Sequence, residues 1–169
     1  MHTSSIQQNI LSELDHELAS TRRVLERVPH DQADYRPHPK SMTLWQLATH
    51  VVNLLAFKQL FVEHASRDFL DSNGPKPGPT PTSQEELLAR FDEHSATLRQ
   101  ALQASDDEKL TDSFRLHRGE HTIFESPKAT AIRLMGLNHS IHHRGQLTVY
   151  LRLLDIPIPG LYGPSADEK

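Results

Sequence analysis

The segment LNHSIHHRGQLTVYLRLLD, Leu137–Asp155, decides how this 169-residue chain folds and where its chemistry lies. It places three histidines within five residues, His139, His142 and His143. At about 100° per residue, His139 and His143 share one face of a helix, and leucine and isoleucine side chains lie roughly opposite. A helix that is apolar on two faces must be covered on both, by its own chain or by another subunit. The segment therefore predicts a helix inside a bundle.

Two further helical patterns occupy the first part of the chain. Apolar residues recur at helical spacing from Ile6 to Val28, where Pro29 stops the run. A second helix is predicted from Thr43, which forms a capping box with Gln46, to about Leu70.

Two more helices follow in the second part. Ser83 and Glu86 predict another capping box, which opens a third helix through Leu102. Ser126, ahead of Pro127, predicts the start of the fourth helix, which ends near Asp155. Four helices in one domain, residues 1–169, predict an all-α four-helix bundle with long connecting loops.

The connections are distinguished by their composition. Residues 72–82 are rich in proline and glycine and predict a loop. Residues 105–126 lack a helical period, and Gly119 interrupts an alternating stretch, so this segment predicts a loop or a short hairpin.

Composition excludes several classes of function. The chain has 18 basic and 22 acidic residues, a net charge of −4, which argues against a basic nucleic-acid-binding surface. It has no cysteine, so disulfides, thiolate metal ligands and a cysteine nucleophile are excluded. With no secretory signal and no long apolar run, we expect a cytoplasmic protein that does not bind a membrane. Twelve histidines direct attention to imidazole chemistry.

Three of these histidines form a candidate metal site. His139 and His143 are one helical turn apart, about 6 Å along the axis, which is the spacing that lets one helix offer two imidazoles to one ion. A third ligand must come from another helix. His50 is the best candidate because it lies on the apolar stripe of the second helix, although a lone histidine there is more often a hydrogen-bonded core residue.

Other histidines fit such a site less well. His142 points about 100° away from its neighbour. His94, on the third helix, is an outside candidate for a fourth ligand, and His64 lies about 21 Å beyond His50 along the second helix. His117 and His121 flank a glycine in a non-helical stretch and are interpreted as surface residues. Solvent exposure is expected for the remaining four, His2, His16, His30 and His38.

Three segments resemble a known family. They are DYRPHPKSMTLWQLATHVV (Asp34–Val52), HSIHHRGQLTVYLR (His139–Arg152) and IPGLYGPSADE (Ile158–Glu168), and HHRGQ is their most specific part. In order and spacing they resemble the DinB family of the DinB/YfiT-like superfamily. The resemblance implies a four-helix bundle that holds a divalent ion with one histidine on the second helix and two on the last. Carried over, these ligands are His50, His139 and His143. Relatives often have an acidic residue where this chain has Ser140.

The resemblance also implies a function class. Three neutral imidazoles leave a divalent ion with an open position for water or substrate, the arrangement of catalytic sites. Zinc and nickel are the preferred ions, with iron, copper and manganese as alternatives. Characterised relatives include transferases and isomerases that use a low-molecular-weight thiol. We therefore expect a metal-dependent thiol S-transferase or a hydrolase, and the alternative is a non-catalytic metal-binding stress-response protein. No catalytic or cofactor-binding residue beyond the ligands is assigned.

The sequence leaves two alternatives each for the roles of Gln146 and Tyr162 and for the oligomeric state. Gln146 either orients a ligand or is an ordinary polar residue at the rim. Tyr162 either closes over the site or packs against the bundle. The resemblance implies a homodimer, which would cover the outer apolar face of the last helix (Leu134, Leu137 and Ile141). The alternative is that residues 105–125 fold over this face.

Overall fold

The computed structural model describes residues 5–72 and 78–168. Four long helices build the fold: α1 (Ile6–Leu25), α2 (Leu44–Glu63), α3 (Gln84–Gln103) and α6 (Asn138–Leu153). Shorter elements join them: a 3₁₀ turn (His30–Gln32), α4 (Asp107–Thr111), α5 (Lys128–Ala131), a π-helical turn (Ile132–Leu137), and the strands β1 (Ser66–Asp68), β2 (Ser113–Arg118) and β3 (His121–Pro127). In the bundle, α1 and α2 each pack against α3 and against α6. Residues 73–77 of the predicted 72–82 loop, and His2, lie outside the described residues.

A small sheet makes the fold mostly helical rather than purely all-α. β1 pairs in parallel with β2, and β2 pairs antiparallel with β3. Phe114 of β2 packs against Phe61 of α2, with ring centroids 4.8 Å apart, so the sheet is joined to the core. Of the loop and the short hairpin predicted for residues 105–126, the structure has the hairpin, which turns at Gly119, whose φ of 58° favours glycine. The all-α prediction is wrong in this respect because the pairing partner, β1, carries no strand signal of its own. Within residues 105–126, Asp107–Thr111 form α4, a short helix that the missing helical period did not predict.

The second helix ends earlier than predicted. It stops at Glu63 rather than near Leu70, and His64 is already extended, with φ −111° and ψ 160°. Residues just after Glu63, which the helix would have included, form hydrogen bonds with β2 instead. The Arg115 N–H donates to the Ala65 carbonyl at 2.9 Å. Long-range strand pairing overrides the local helical pattern here.

The predicted helix starts are partly confirmed. Thr43 and Gln46 form both hydrogen bonds of a capping box at the start of α2. Ser83 caps α3 by accepting from the Glu86 N–H, but the Glu86 carboxylate accepts from Thr82. The second predicted capping box is therefore only half formed.

The last helical segment begins and runs differently from its prediction. β3 continues through Pro127, so α5 starts at Lys128, and Ser126 makes no capping hydrogen bond to the helix. The Lys128 N–H donates to the Asp112 carbonyl at 2.8 Å, which replaces the predicted cap. A π-helical turn then interrupts the segment before α6. Such turns add a residue to the helix and shift the face that the following residues present.

The apolar face behind the histidines is covered largely by α1. Leu137 is buried, and Leu137 and Ile141 line a small internal space together with Leu14 and Leu18 of α1. Leu134 stays half exposed. Leu137 therefore needs no partner subunit to cover it, whereas Ile141 is only partly buried, and the homodimer stays a prediction. Within the described ranges, none of the helices combines the length and apolar character needed to cross a membrane.

Candidate metal centre

His50, His139 and His143 come together where α2 packs against α6. One ring nitrogen from each residue lies within 4.8 Å of the other two. The ring centroids of His50 and His143 are 4.5 Å apart, and those of His50 and His139 are 5.6 Å apart. All three side chains are partly buried. The histidines that were predicted from two separate helical stripes therefore form one cluster.

The two histidines of α6 turn the same nitrogen atom toward each other. Nε2 of His139 lies 2.9 Å from Nε2 of His143. On the other side of its ring, His143 places Nδ1 at 2.8 Å from Oε1 of Gln146. Because an amide oxygen only accepts, Nδ1 of His143 carries the hydrogen, and Nε2 presents its lone pair.

The His139 ring is oriented in a similar way. A hydrogen bond to the Met135 backbone favours its charged form. Since Nε2 faces His143, the nitrogen available to Met135, four residues earlier, is Nδ1. Two Nε2 lone pairs at 2.9 Å repel each other unless a proton or a cation lies between them. A positive charge between these two nitrogen atoms would therefore stabilise the arrangement.

Burial disfavours the protonated form of two of the three imidazoles. Burial, followed by the charges of protonated His143 and His139, lowers the pKa of His50 to about 4. Burial and His143 also lower the pKa of His139, against the opposing hydrogen bond to the Met135 backbone. His50 is consequently neutral at pH 7, the form in which imidazole binds a metal ion, and burial shifts His139 in the same direction.

The donor set fits a divalent ion. A tetrahedral site with metal–nitrogen distances of about 2.0–2.1 Å requires nitrogens roughly 3.3 Å apart, so the 2.9 Å pair needs only a slight opening. Metal-bound histidines usually donate their second ring N–H to an oxygen acceptor, as His143 does to Gln146. In the described part of the chain, no cysteine, acidic residue or further histidine joins this group.

Comparison with known proteins identifies the family. A model of the DinB superfamily matches residues 13–147, a range that contains all three clustered histidines. The chain belongs to the DinB superfamily. The family resemblance seen in the sequence is therefore confirmed.

Proteins from bacilli are similar to this chain in sequence or in fold. The uncharacterized protein YrdA of Bacillus subtilis (strain 168) is 23% identical over 160 residues, which are 95% of this chain and 90% of YrdA. A DinB-like protein from Bacillus cereus ATCC 10987 superposes with a TM-score of 0.68 at 23% identity, over 90% of this chain and 95% of that one. The DinB-like protein YjoA of Bacillus subtilis gives a TM-score of 0.70 at 17% identity, over 93% and 99% of the two chains.

In this DinB-superfamily chain, the other histidines within residues 5–72 and 78–168 lie outside the cluster. His142 is exposed, with its ring 4.9 Å from that of His143, centroid to centroid. His94 faces the Val52 carbonyl at 3.4 Å and does not join the three ligand candidates. His117 interacts with the Gly119 carbonyl, and His64 ends α2 in an exposed position.

Tyr162 does not close over the histidine cluster. Its hydroxyl lies 3.0 Å from both carboxylate oxygens of Glu17 and accepts from Arg144 at 2.7 Å. The interpretation that this tyrosine packs against the bundle is the one the structure supports. Arg144 is a buried residue that the sequence analysis did not predict. Its spacing from Ser140 and Leu147, four and three residues, was the available signal, because it puts a charged residue on the buried side of α6.

An open cleft of about 430 Å³ lies beside His50. Its wall is a stripe of α2 and the residues before it, with one residue from the segment that leads to α3: Met42, Gln46, Thr49, His50, Asn53 and Thr80. The volume lies in the range of small-molecule sites. The lining combines two amides with a thioether, so it offers hydrogen bonds and apolar contact next to the cluster.

Proposed function

We propose that His50, His139 and His143 bind one divalent metal ion and that the protein is a metal-dependent enzyme of the thiol S-transferase type, with hydrolysis as the variant. The observation that carries the metal site is the convergence of three imidazoles around two facing Nε2 atoms. Zinc and nickel are the preferred ions, and iron, copper and manganese remain alternatives. A bound ion would supply a Lewis acid that lowers the pKa of a thiol or a water molecule.

The side chains around the ion supply binding and orientation. Gln146 holds the His143 ring in the tautomer that points Nε2 inward. The cleft beside His50 supports access for a small molecule, and its amides can orient one by hydrogen bonds. Since the chain contains no cysteine, a reacting thiol must enter from solution. This open cleft supports an enzyme over the second candidate, a metal-binding stress-response protein without turnover.

Loading the protein with cobalt tests both parts of the proposal. We expect about one Co²⁺ per chain and, on addition of a small thiol, a thiolate-to-cobalt charge-transfer band, because three neutral ligands favour an anionic fourth one. A thiol and an electrophile are then offered together, and the loss of free thiol is followed with the His143→Ala protein as control. A cobalt spectrum unchanged by several thiols would exclude thiol transfer and leave hydrolysis or plain metal binding.

Gln146 is expected to contribute to metal affinity without touching the ion. Gln146→Leu removes the acceptor of the His143 Nδ1–H, so the ring is free to rotate or to change tautomer. We expect roughly 10-fold weaker cobalt binding, as is usual for the loss of a hydrogen bond to a metal-bound histidine. Gln146→Glu keeps an acceptor at this place and should restore the affinity. Equal affinities for wild type and Gln146→Leu would show that Gln146 is only a rim residue.

A further inference from the structure

A buried ion pair lies directly behind the histidine cluster. Arg144, the residue after His143, is 1% exposed and contacts the Glu17 carboxylate of α1 at 2.7 Å. Its guanidinium also donates to the Glu17 carbonyl at 3.1 Å and to the Thr21 hydroxyl at 3.2 Å. Arg144 thus joins α6 to α1 on one side, while His143 faces α2 on the other.

The C-terminal tail completes this group. The Tyr162 hydroxyl bonds to both members of the pair, and the guanidinium carbon lies 5.4 Å from the centre of the Tyr162 ring. Arg23 of α1 holds the tail in place through the Gly160 carbonyl and the Glu168 carboxylate, each at 2.7 Å. We refer to Glu17, Arg144 and Tyr162 as the rear cluster.

Stability alone does not account for the rear cluster. Ser140, Leu147 and Leu151 are the other buried members of the α6 stripe that carries Arg144. A leucine at position 144 would continue this stripe, and buried ion pairs are often no more stabilising than apolar pairs of similar volume. An arginine adds directional hydrogen bonds, because its planar guanidinium group binds a carboxylate in only a few orientations. Apolar contacts along the stripe would instead tolerate small rotations of the helix about its axis.

Rotation of α6 would displace two of the three candidate ligands together. His139 and His143 project from the same helix, so any rotation moves both imidazoles relative to His50 on α2. Ligand sets must be held within about 0.5 Å and 10–20° of their productive geometry. We propose that Arg144 is a positioning residue: with Glu17 and Tyr162 it sets the rotation of α6 and so aims His139 and His143 at the ion. This inference rests on the metal site of the proposed function.

Two variants separate positioning from mere support of the fold. Glu17→Leu/Arg144→Met replaces the pair by apolar side chains of similar volume, which should keep the fold. Tyr162→Phe removes only the hydroxyl of a residue that is 67% exposed. The control, Arg22→Gln, removes an exposed arginine of α1 whose partners, Glu26 and Asp92, lie outside the rear cluster and the tail.

For each protein we would measure urea unfolding, the imidazole ¹H–¹⁵N spectrum without metal, and the Kd and absorption spectrum with Co²⁺. We expect roughly 10-fold weaker cobalt binding and displaced His139 and His143 signals for the double variant, a smaller change for Tyr162→Phe, and none for Arg22→Gln. Wild-type imidazole signals and cobalt affinity in Tyr162→Phe, and in the double variant if it folds, would overturn the proposal.

The metal-free spectra keep this test independent of the proposed function. If wild-type protein binds no cobalt, the metal site fails, and displaced imidazole signals in the variants would still support positioning of the cluster. Unchanged imidazole signals in that case would overturn it as well.

Discussion

Replacement of His143 by alanine is expected to weaken metal binding by more than about 100-fold, because it removes one of three ligands and leaves Nε2 of His139 without its counterpart. His50→Ala and His139→Ala should have effects of the same size, since each removes one corner of the cluster. The measurement is the metal content of the purified proteins, together with cobalt titration of the metal-free forms.

The matched control is the neighbouring histidine. His142 is exposed and lies outside the cluster of three, so His142→Ala should retain its metal. Loss of metal from this variant, or full retention in any of the other three, would show that the ligand set is wrong. Unfolding curves of the metal-free proteins distinguish lost ligands from a lost fold.

Replacement of Lys58 by methionine is expected to raise the free energy of unfolding by about 2–5 kcal/mol at pH 7. Lys58 is 2% exposed, and its side-chain stem packs against Gly136 of the π-helical turn. Burial lowers its pKa to about 7, with Glu17 opposing this shift and Arg144 adding to it. Methionine fills a similar volume and removes the cost of burying an ammonium group.

This gain should depend on pH in a defined direction. The pKa of Lys58 is about 7 in the native protein, whereas a lysine in water has a pKa of 10.5. Between these values the unfolded chain binds one more proton than the native protein, so wild-type stability rises with pH from about 7 to 10.5. The variant lacks this slope, and its advantage should be largest below about pH 7, fall as the pH rises and disappear toward pH 10.5.

Urea unfolding at several values of pH, with the exposed Lys40→Met as control, measures this effect. Lys40→Met should change the free energy of unfolding by less than about 0.5 kcal/mol. A Lys58→Met protein that is less stable than wild type at pH 7 would mean that Lys58 is charged and paired in the core. In that case the variant would lose an ion pair rather than relieve a desolvated amine.

Features with a local cause could be predicted from the sequence. The capping box of Thr43 and Gln46 is formed by residues three apart, so the pattern contains all of its partners. The facing of His139 and His143 follows from one turn of helix, and His50 was placed by the apolar stripe of its own helix. The juxtaposition of these three histidines required only that the two stripes pack against each other, which the apolar residues around them made the favourable arrangement.

Features whose partners are distant in the chain were decided by tertiary structure. α2 ends at Glu63 because residues 66–68 pair with β2, nearly fifty positions later, and local periodicity carries no information about that partner. Arg144 is buried because Glu17 lies 127 positions away in sequence and next to it in space. Local spacing sets which face of a helix a residue occupies, whereas burial of a charge depends on a partner whose position follows only from the packing of the whole chain.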